Sequence, residues 1–402
     1  MIGVALVLCV SLGTVAGGFL FGYSTPRPLF TVAPDPKEPY NLSCLIPGNH
    51  KLPLARFVDR CNSEICDATS TDCDFGLPNT YIAQHLNGKA ITVDGRMDEE
   101  AWKEVPWSSS FADIRGNSYA RPRFDTKVKV VWDNDRLYVG ARMEETDIWA
   151  NFTQDETRVY NDNAFEVFVD PDGSMANYKE MEINALRTSW DLMMTKAYMD
   201  GGDFLSNWTS DMQKGVYTDG IVNDPNHKGT FWSVEWSFRF QRLADSTRRI
   251  RPTPADNEVW FAMFARPEWP VHVVNGQYHK NPDAQAEWWA WQPTGVVSLH
   301  LPSRWGLVQF SKNLSSEFSF PKWHIYRALF DVFETLHAFK AVNGMFVTDV
   351  KQLRLKPYLL SGVCTDIPTV TLHNDEFSVT VRSRRLVGVV GHIRTDRYVW
   401  FD

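Results

Sequence analysis

The sequence predicts a mainly β protein in which an antiparallel β-sandwich is followed by a small α+β unit. Residues 164–170 and 178–184 alternate between apolar and polar side chains, the period of two that is typical of strands. Turn residues such as those at 171–174 separate strand-like stretches of this kind. Only after Pro321 do apolar side chains recur at helical spacing, up to a stop at Asn343-Gly344.

The stretches on either side of the turn at 171–174 are expected to pair. Phe165, Val167 and Val169 then lie on one face, and Glu166 lies on the other. On the second strand, Met181 and Ile183 are opposed in the same way by Glu180, Glu182 and Asn184. Pairing would place Glu166, Glu182 and Asn184 on one polar face with Tyr160 at its rim. Such a face could bind a polyol.

Further strands extend this pattern on both sides. Residues 128–132 and 137–143 alternate around Asp133-Asn134-Asp135 and predict a hairpin. Residues 232–240 carry an aromatic or apolar side chain at every second position, and residues 259–265 are apolar on both faces. Regular short strands with few helical periods favour a sandwich.

Length and charge limit the possible organisation and partners. A chain of 402 residues is expected to form about two or three units. We expect a signal peptide or anchor at 1–23, a cysteine-containing segment at 24–86, the sandwich at 87–312 and the α+β unit at 321–402. The net charge of -8 and the absence of a basic run argue against a nucleic-acid partner.

The N-terminal segment predicts targeting to a membrane. Ile2 to Tyr23 is uncharged, mostly apolar and long enough to cross a bilayer, and the first charge is Arg27. The segment lacks a basic start, and its small residues allow a cleavage site without defining one. A cleaved signal peptide and a membrane anchor at residues 2–23 both fit.

Cysteines and sequons indicate an oxidising compartment. Four cysteines lie close together near the start of the chain: Cys44, Cys61, Cys66 and Cys73. They predict two disulfides with three possible pairings. A zinc site is the alternative, although no C-x-x-C pair is present. Cys364 has no obvious partner. Glycosylation sequons begin at Asn41, Asn151, Asn207 and Asn313. Together these features predict an extracellular or lumenal chain.

Six motifs occur in a recognisable order between about residues 87 and 311. They read ITVDGRMDEEAW, VKVVWDNDRLYVGARMEE, DNAFEVFVDPDG, YKEMEINAL, FWSVEWSF and WWAWQPTG…LHLPSRWGLVQF. In this order they resemble the family 9 carbohydrate-binding modules and the wider group of DOMON-like sandwich domains. The resemblance implies a sugar site in which two aromatic rings sandwich a terminal pyranose and planar polar groups bind its hydroxyls.

Carried over to this sequence, the resemblance places Tyr160 at an aromatic position of the site and Glu166 at its strand carboxylate. Two positions depart from the pattern, because Glu182 stands where family members have Arg and Leu299 where they have the second aromatic. Trp289 or Trp291 could replace that aromatic, or both could pack in the core. The candidate carbohydrate-binding residues are Tyr160, Asn163, Glu166, Glu182, Asn184, Trp289 and Trp291.

Carboxylates in the loops raise the question of a metal. The resemblance implies structural calcium, and Asp162, Asp170 and Asp172, with the amides of Asn161 and Asn163, supply oxygen ligands of the type that calcium prefers. No EF-hand pattern is present, so ordinary loop hydrogen bonding explains these residues equally well.

The leading function predicted from the sequence is sugar recognition without catalysis by a secreted or membrane-tethered protein. A part in glycoside hydrolysis is one alternative, with Glu166 and Glu182 as a carboxylate pair. A structural or protein-binding module is another. A haem or redox domain is a third alternative, since relatives in the DOMON-like group bind haem through Met and His, of which this chain offers Met193, Met194, Met263 and His300.

Overall fold

Nineteen strands and four α-helices lie within residues 73–402, the part of the chain that the computed structural model describes. These residues belong to one compact unit. The predicted class, a mainly β sandwich followed by a small α+β unit, is confirmed. The apolar segment at 2–23, Asn41, Cys44, Cys61 and Cys66 lie outside the described residues. No helix within 73–402 is both long and apolar enough to span a membrane.

The sandwich contains strands β1 to β11, β14 and β15, while β12 and β13 form a separate hairpin. Their bounds are β1 Thr80–His85, β2 Ala112–Asp113, β3 Thr126–Trp132, β4 Arg136–Glu144, β5 Ala164–Asp170, β6 Lys179–Asn184, β7 Ser189–Met194, β8 Phe204–Leu205, β9 Gln213–Thr218, β10 Phe231–Arg239, β11 Val259–Glu268, β12 Val271–Val274, β13 Gln277–Lys280, β14 Glu287–Ala290 and β15 Gly306–Ser311. There are also two one-turn helices. Helix α1 (Glu100–Lys103) lies between β1 and β2, and helix α2 (Phe240–Leu243) directly follows β10.

The sandwich is one continuous sheet with the order β8-β7-β6-β5-β11-β15-β1-β3-β4-β10-β9, and β14 and β2 extend from β11. All of its pairs are antiparallel except those of β1, which runs parallel to both β15 and β3. The predicted antiparallel sandwich thus has two parallel pairs, both of them formed by β1. Because β1 lies between the two halves of the sheet, it joins strands from opposite ends of the sandwich sequence.

The sheet curls so that its halves face each other across an apolar core. Side chains such as Phe165, Val167 and Met181 from β5 and β6 pack in the same cluster as Val139 and Trp236 from β4 and β10. The alternation of apolar residues thus directs one face of every strand inward. This inner face lies opposite the one that carries Glu166.

The outer face of β5, β6 and β11 is also largely covered. Phe261 on this face contacts Tyr326 of the C-terminal unit, with ring centroids 5.1 Å apart. The Tyr326 hydroxyl donates a 3.1 Å hydrogen bond to the carbonyl of Gly173, in the turn after β5. The strands at the centre of this half-sheet are therefore buried on both sides.

The C-terminal unit consists of α3 (Trp323–Asn343), α4 (Pro357–Leu360) and an antiparallel sheet. The strands are β16 (Thr369–His373), β17 (Glu376–Arg382), β18 (Val390–Arg394) and β19 (Val399–Phe401). Helix α3 ends at Gly344, whose φ of 80° is left-handed, as the Asn-Gly stop predicts. Val379 and Ile393 of the sheet lie in the same apolar cluster as Leu329 of α3.

A disulfide joins Cys73 to Cys364, across a sequence separation of 291 residues. The prediction that Cys73 pairs within the N-terminal group was wrong, as was the view that Cys364 lacks a partner. The reason is that the fold brings the start of the sandwich next to the C-terminal unit, where Phe75 contacts Tyr358 with ring centroids 5.1 Å apart.

Candidate functional site

A row of side chains crosses the outer face of the half-sheet. In the strand register, Glu166 of β5 lies directly opposite Glu182 of β6, and Glu182 lies opposite Trp190 of β7. On the other side, Glu166 lies opposite Ala265 of β11, which lies opposite Ala290 of β14. The pairing that the alternation predicts for Glu166 and Glu182 is observed. Directly opposed residues have Cβ atoms roughly 4.5–5.5 Å apart, so the two carboxyl groups are close neighbours.

Glu166 is the most unusual residue in this row. It is 1% exposed, and neither carboxyl oxygen has a hydrogen-bond partner. Its neighbours Ala164, Ala265 and Ala290 are also buried, and their methyl groups offer it no hydrogen-bond donor. A buried polar group without a partner costs about 1–3 kcal/mol, which makes Glu166 a group that a ligand could satisfy.

Two further glutamates complete an acidic cluster with Glu166. Glu182 accepts a 2.7 Å hydrogen bond from the backbone N–H of Tyr160 at Oε2, and its Oε1 has no partner. Glu180, two residues earlier on the same face, also has an unpartnered oxygen, Oε2. The Nε2 atom of His300 lies 3.9 Å from that oxygen, too far for a hydrogen bond. Glu180 was not among the predicted site residues, although its alternation with Met181 places it on this face.

Burial controls the protonation of the cluster. It raises the pKa of Glu166 and of Glu182 well above the usual range, and repulsion from the other glutamates acts in the same direction. Burial also raises the pKa of Glu180 to about 8. It lowers the pKa of His300 to about 3, so this histidine is neutral. The Nδ1 atom of His300 lies 3.0 Å from the Tyr178 hydroxyl, as expected for a hydrogen-bonded structural histidine.

Aromatic rings border the cluster. The half-buried ring of Tyr160 lies 6.3 Å from that of Trp190, with 32° between the ring planes. Tyr198, also half-buried, meets His300 edge-on at 4.6 Å. Tyr160 thus lies at the rim, as predicted, and Trp190 and Tyr198 are aromatic neighbours that the sequence prediction did not include.

Trp289 and Trp291 do not lie at this site. Both are almost fully buried in the core between the half-sheets, so the prediction that either could stack on a ligand was wrong. The tryptophan on the outer face is Trp288, two residues before Ala290, and it is half-buried. Since side chains alternate along a strand, the adjacent residues Trp288 and Trp289 lie on opposite faces of the sheet.

The amides of Asn163 and Asn184 are occupied by structural hydrogen bonds. Asn184 donates to the carbonyl of Phe152 and to Asp162, and its Oδ1 accepts from the backbone N–H groups of Leu186 and Thr188. Its hydrogen-bonding capacity is therefore used within the protein.

Asn163 is engaged in the same way, since it donates to Glu268 and accepts from the backbone N–H of Trp269. Both asparagines are buried. The prediction that they bind a sugar was wrong, because they hold loops in place instead.

The three aspartates considered for calcium also accept internal hydrogen bonds. Asp162 binds the backbone N–H groups of Asn151 and Phe152, and Asp170 binds those of Gly173 and Met175. Asp172 accepts from the backbone N–H groups of Ser174 and Arg248. No group of three or more His, Cys, Asp or Glu side chains suited to a metal occurs within residues 73–402.

A separate pocket of about 370 Å³ lies where the turn after β5 meets the start of α3. Its charged groups Arg249 and Glu258 form an ion pair with each other. Asp172, also in its wall, lies 3.5 Å from the Nε atom of Arg248. Of the predicted site residues it contains only the calcium candidate Asp172, so it is distinct from the acidic cluster.

The buried acids give a stability prediction. Because folding raises the pKa of Glu166, the folded state binds more protons than the unfolded state, and stability falls as the pH rises above about 4.3, the ordinary value for Glu. Glutamine does not ionise, so Glu166→Gln removes this fall in stability at higher pH. We expect the variant to be more stable than the wild type by about 1–3 kcal/mol at around pH 8, with little difference near pH 4.

Thermal denaturation at the two pH values measures the effect. Glu376→Gln, an exposed position on β17, is the matched control and should change neither melting temperature. Equal effects of Glu166→Gln at both pH values would show that the carboxyl group titrates normally.

The described residues thus form a curled β-sandwich with carboxyl groups and bordering aromatic rings on one outer face. Residues 93–265 match the model of the family described as carbohydrate family 9 binding domain-like. These residues are thus similar to that family, and the predicted resemblance is confirmed.

Several solved structures are similar to part of the chain. Two are a family 9 carbohydrate-binding module of Caldicellulosiruptor kristjanssonii, one in complex with cellotriose and one with glucose. Each is 13% identical with a TM-score of 0.38; they cover 58% and 60% of this chain, and 94% and 100% of their own. A carbohydrate-binding candidate from Bacteroides uniformis is 13% identical with a TM-score of 0.42, over 58% of this chain and 100% of its own. No curated protein matches the chain.

Proposed function

We propose that this protein binds a carbohydrate on the outer face of β5, β6 and β7, without converting it. The observation that carries the proposal is the carboxyl group of Glu166, which is buried beside three alanines with both oxygens unpartnered. The family match over residues 93–265 supports a carbohydrate as the ligand class.

The chemistry of the face suits a sugar. Hydroxyl groups of a pyranose donate hydrogen bonds to carboxyl oxygens, and the free oxygens of Glu166, Glu180 and Glu182 can accept them. The C–H face of the ring packs on an aromatic side chain, for which Tyr160 and Trp288 are both half-buried on this side of the sheet. Trp288 takes the stacking role that the sequence assigned to Trp289 or Trp291.

The same geometry argues against glycoside hydrolysis. A glycosidase holds its two carboxyl groups on opposite sides of the bond that is cleaved. Glu166 and Glu182 instead lie side by side on neighbouring strands and project from one face. Both carboxyl groups would therefore contact the same side of a bound sugar, which favours a binding function over hydrolysis.

We also propose that the protein faces the extracellular space or the secretory lumen. The Cys73–Cys364 disulfide is stable in an oxidising compartment. The sequon asparagines Asn151, Asn207 and Asn313 are exposed, as glycosylation requires. The apolar segment at 2–23 is the proposed signal peptide or membrane anchor.

Calorimetry with a panel of monosaccharides and short oligosaccharides tests the binding proposal. We expect Glu166→Ala to weaken binding by about tenfold or more, because it leaves hydroxyl groups of the bound sugar without a partner, which costs roughly 1–3 kcal/mol. Trp288→Ala should weaken it by a smaller factor through the lost stacking contact.

Glu376→Gln serves as the control and should bind as the wild type does. Circular dichroism establishes that each variant is folded. Binding that survives both Glu166→Ala and Trp288→Ala would place the ligand elsewhere, and no binding to any sugar would rule out the proposed function.

A further inference from the structure

We propose that the preferred ligand is a sugar that carries a protonated amine, such as a deacetylated hexosamine. This inference rests on the proposed function and specifies its ligand class. It follows from the acidic cluster, defined as Glu166, Glu180 and Glu182, and from how this cluster differs from the other buried carboxylates of the protein.

The acidic cluster contains three carboxyl groups and no cation. Within residues 73–402, no ion pair includes Glu166 or Glu182. Glu180 has only the Nε2 atom of His300 at 3.9 Å, and that histidine is neutral. Four carboxyl oxygens of the cluster are buried without a hydrogen-bond partner, two of them on Glu166.

Several other buried carboxylates in this protein have counter-charges. Glu145 and Glu268 are paired with Arg266 at 2.9 Å. Asp200 is paired with Arg397 at 2.7 Å.

Asp162, Asp191 and Glu235 are buried without an ion pair to any described residue, but each accepts hydrogen bonds from N–H groups. Glu166 differs from all of these because neither of its oxygens has a donor, so a ligand could supply one.

An ammonium group fits this arrangement better than a hydroxyl group. A hydroxyl group donates one hydrogen bond and brings no charge, whereas an ammonium group donates three and neutralises one carboxylate. Carboxyl groups on neighbouring positions of two strands can accept several of these bonds at once. The rings of Tyr160 and Trp190 beside the cluster add a favourable surface for a cation.

Protonation provides a second readout. The raised pKa values of the three glutamates mean that they hold protons near neutral pH when the site is empty. A bound cation favours the ionised carboxylates, so protons must leave as the amine binds. Affinity should therefore rise as the pH increases from about 5 towards 7, below the range of about 7.7–8.0 in which an amine of this kind loses its own proton.

No other group facing the cluster changes charge in that range. His300 remains neutral because burial lowers its pKa. Tyr160, Tyr178 and Tyr198 remain neutral because burial raises their pKa values. The three glutamates alone then account for protons released on binding.

The experiment is calorimetry of the wild-type protein with glucosamine, glucose and N-acetylglucosamine, each in two buffers of different ionisation enthalpy. We expect glucosamine to bind about tenfold or more tightly than either neutral sugar, with proton release near pH 6 that the neutral sugars do not cause. Glu166→Gln and Glu182→Gln should each reduce the preference for glucosamine, and Glu376→Gln should leave it unchanged.

Each outcome decides a separate point. If glucose binds as tightly as glucosamine, the inference is overturned and the proposed function stands. If ethanolamine binds as tightly as glucosamine, the ligand is an amine in general and the sugar part of the inference is wrong. If none of the sugars binds, both the proposed function and the inference are lost. Because the comparison uses wild-type protein, it does not depend on the folding of any variant.

Discussion

Replacing Arg266 with methionine is expected to lower the free energy of unfolding by about 3–5 kcal/mol. The guanidinium group of Arg266 is fully buried and donates to Glu145 and Glu268, to the hydroxyl of Thr126 and to the backbone carbonyl of Glu144. Methionine has a similar length but no charge. The variant would leave Glu145 buried without its counter-charge and Glu268 with only its ion pair to Arg123, so the loss comes from these partners more than from Arg266 itself.

Urea denaturation at neutral pH measures the loss. Arg394→Met is the matched control, because Arg394 forms an exposed ion pair with Asp396 that should contribute about 1 kcal/mol or less. Equal losses for the two variants at neutral pH would contradict the buried-charge argument.

Removing the Cys73–Cys364 disulfide is expected to destabilise the protein by about 3–5 kcal/mol. In the chain-entropy description, the stabilisation grows with the length of chain that the bond closes, and here the cysteines are 291 residues apart. Since the bond connects the start of the sandwich to the C-terminal unit, its loss also weakens the contact between the rings of Phe75 and Tyr358.

A double-mutant cycle tests this pairing. Cys73→Ser, Cys364→Ser and the double variant should lose the same stability, because either substitution breaks the same bond. Peptide mapping of the wild-type protein should recover the two cysteines in one linked fragment. A double variant that loses the sum of the two single effects would show that the cysteines act independently.

The register of the central strands could be predicted because their alternation is clear. Phe165, Val167 and Val169 are apolar and alternate with Glu166, so only one orientation buries the apolar set. The same rule placed Glu182 on the same face as Glu166, and the structure adds that the two lie directly opposite each other. It failed in β14, where tryptophan occupies both 288 and 289, because two adjacent aromatic residues do not indicate which face is inside.

Other features depend on contacts between distant parts of the chain. The disulfide partner of Cys73 is almost three hundred residues away, and no local pattern connects it to Cys364. Asn184 alternates with Ile183 as a site residue would, yet the loop that contains Phe152 folds over it and takes its amide. A period of two predicts a face but not which loops cover it.

The outer face shared with helix α3 has a consequence for how this protein can vary. Phe261 and Tyr178 of the family 9-like region lie in the same apolar cluster as Tyr326, Leu329 and Val379 of the C-terminal unit. A chain cut after β15 would expose this surface to water. The family 9-like region is therefore not expected to fold stably if recombination transfers it to another protein without the C-terminal unit. It and the C-terminal unit should melt in one cooperative transition and be inherited as one piece.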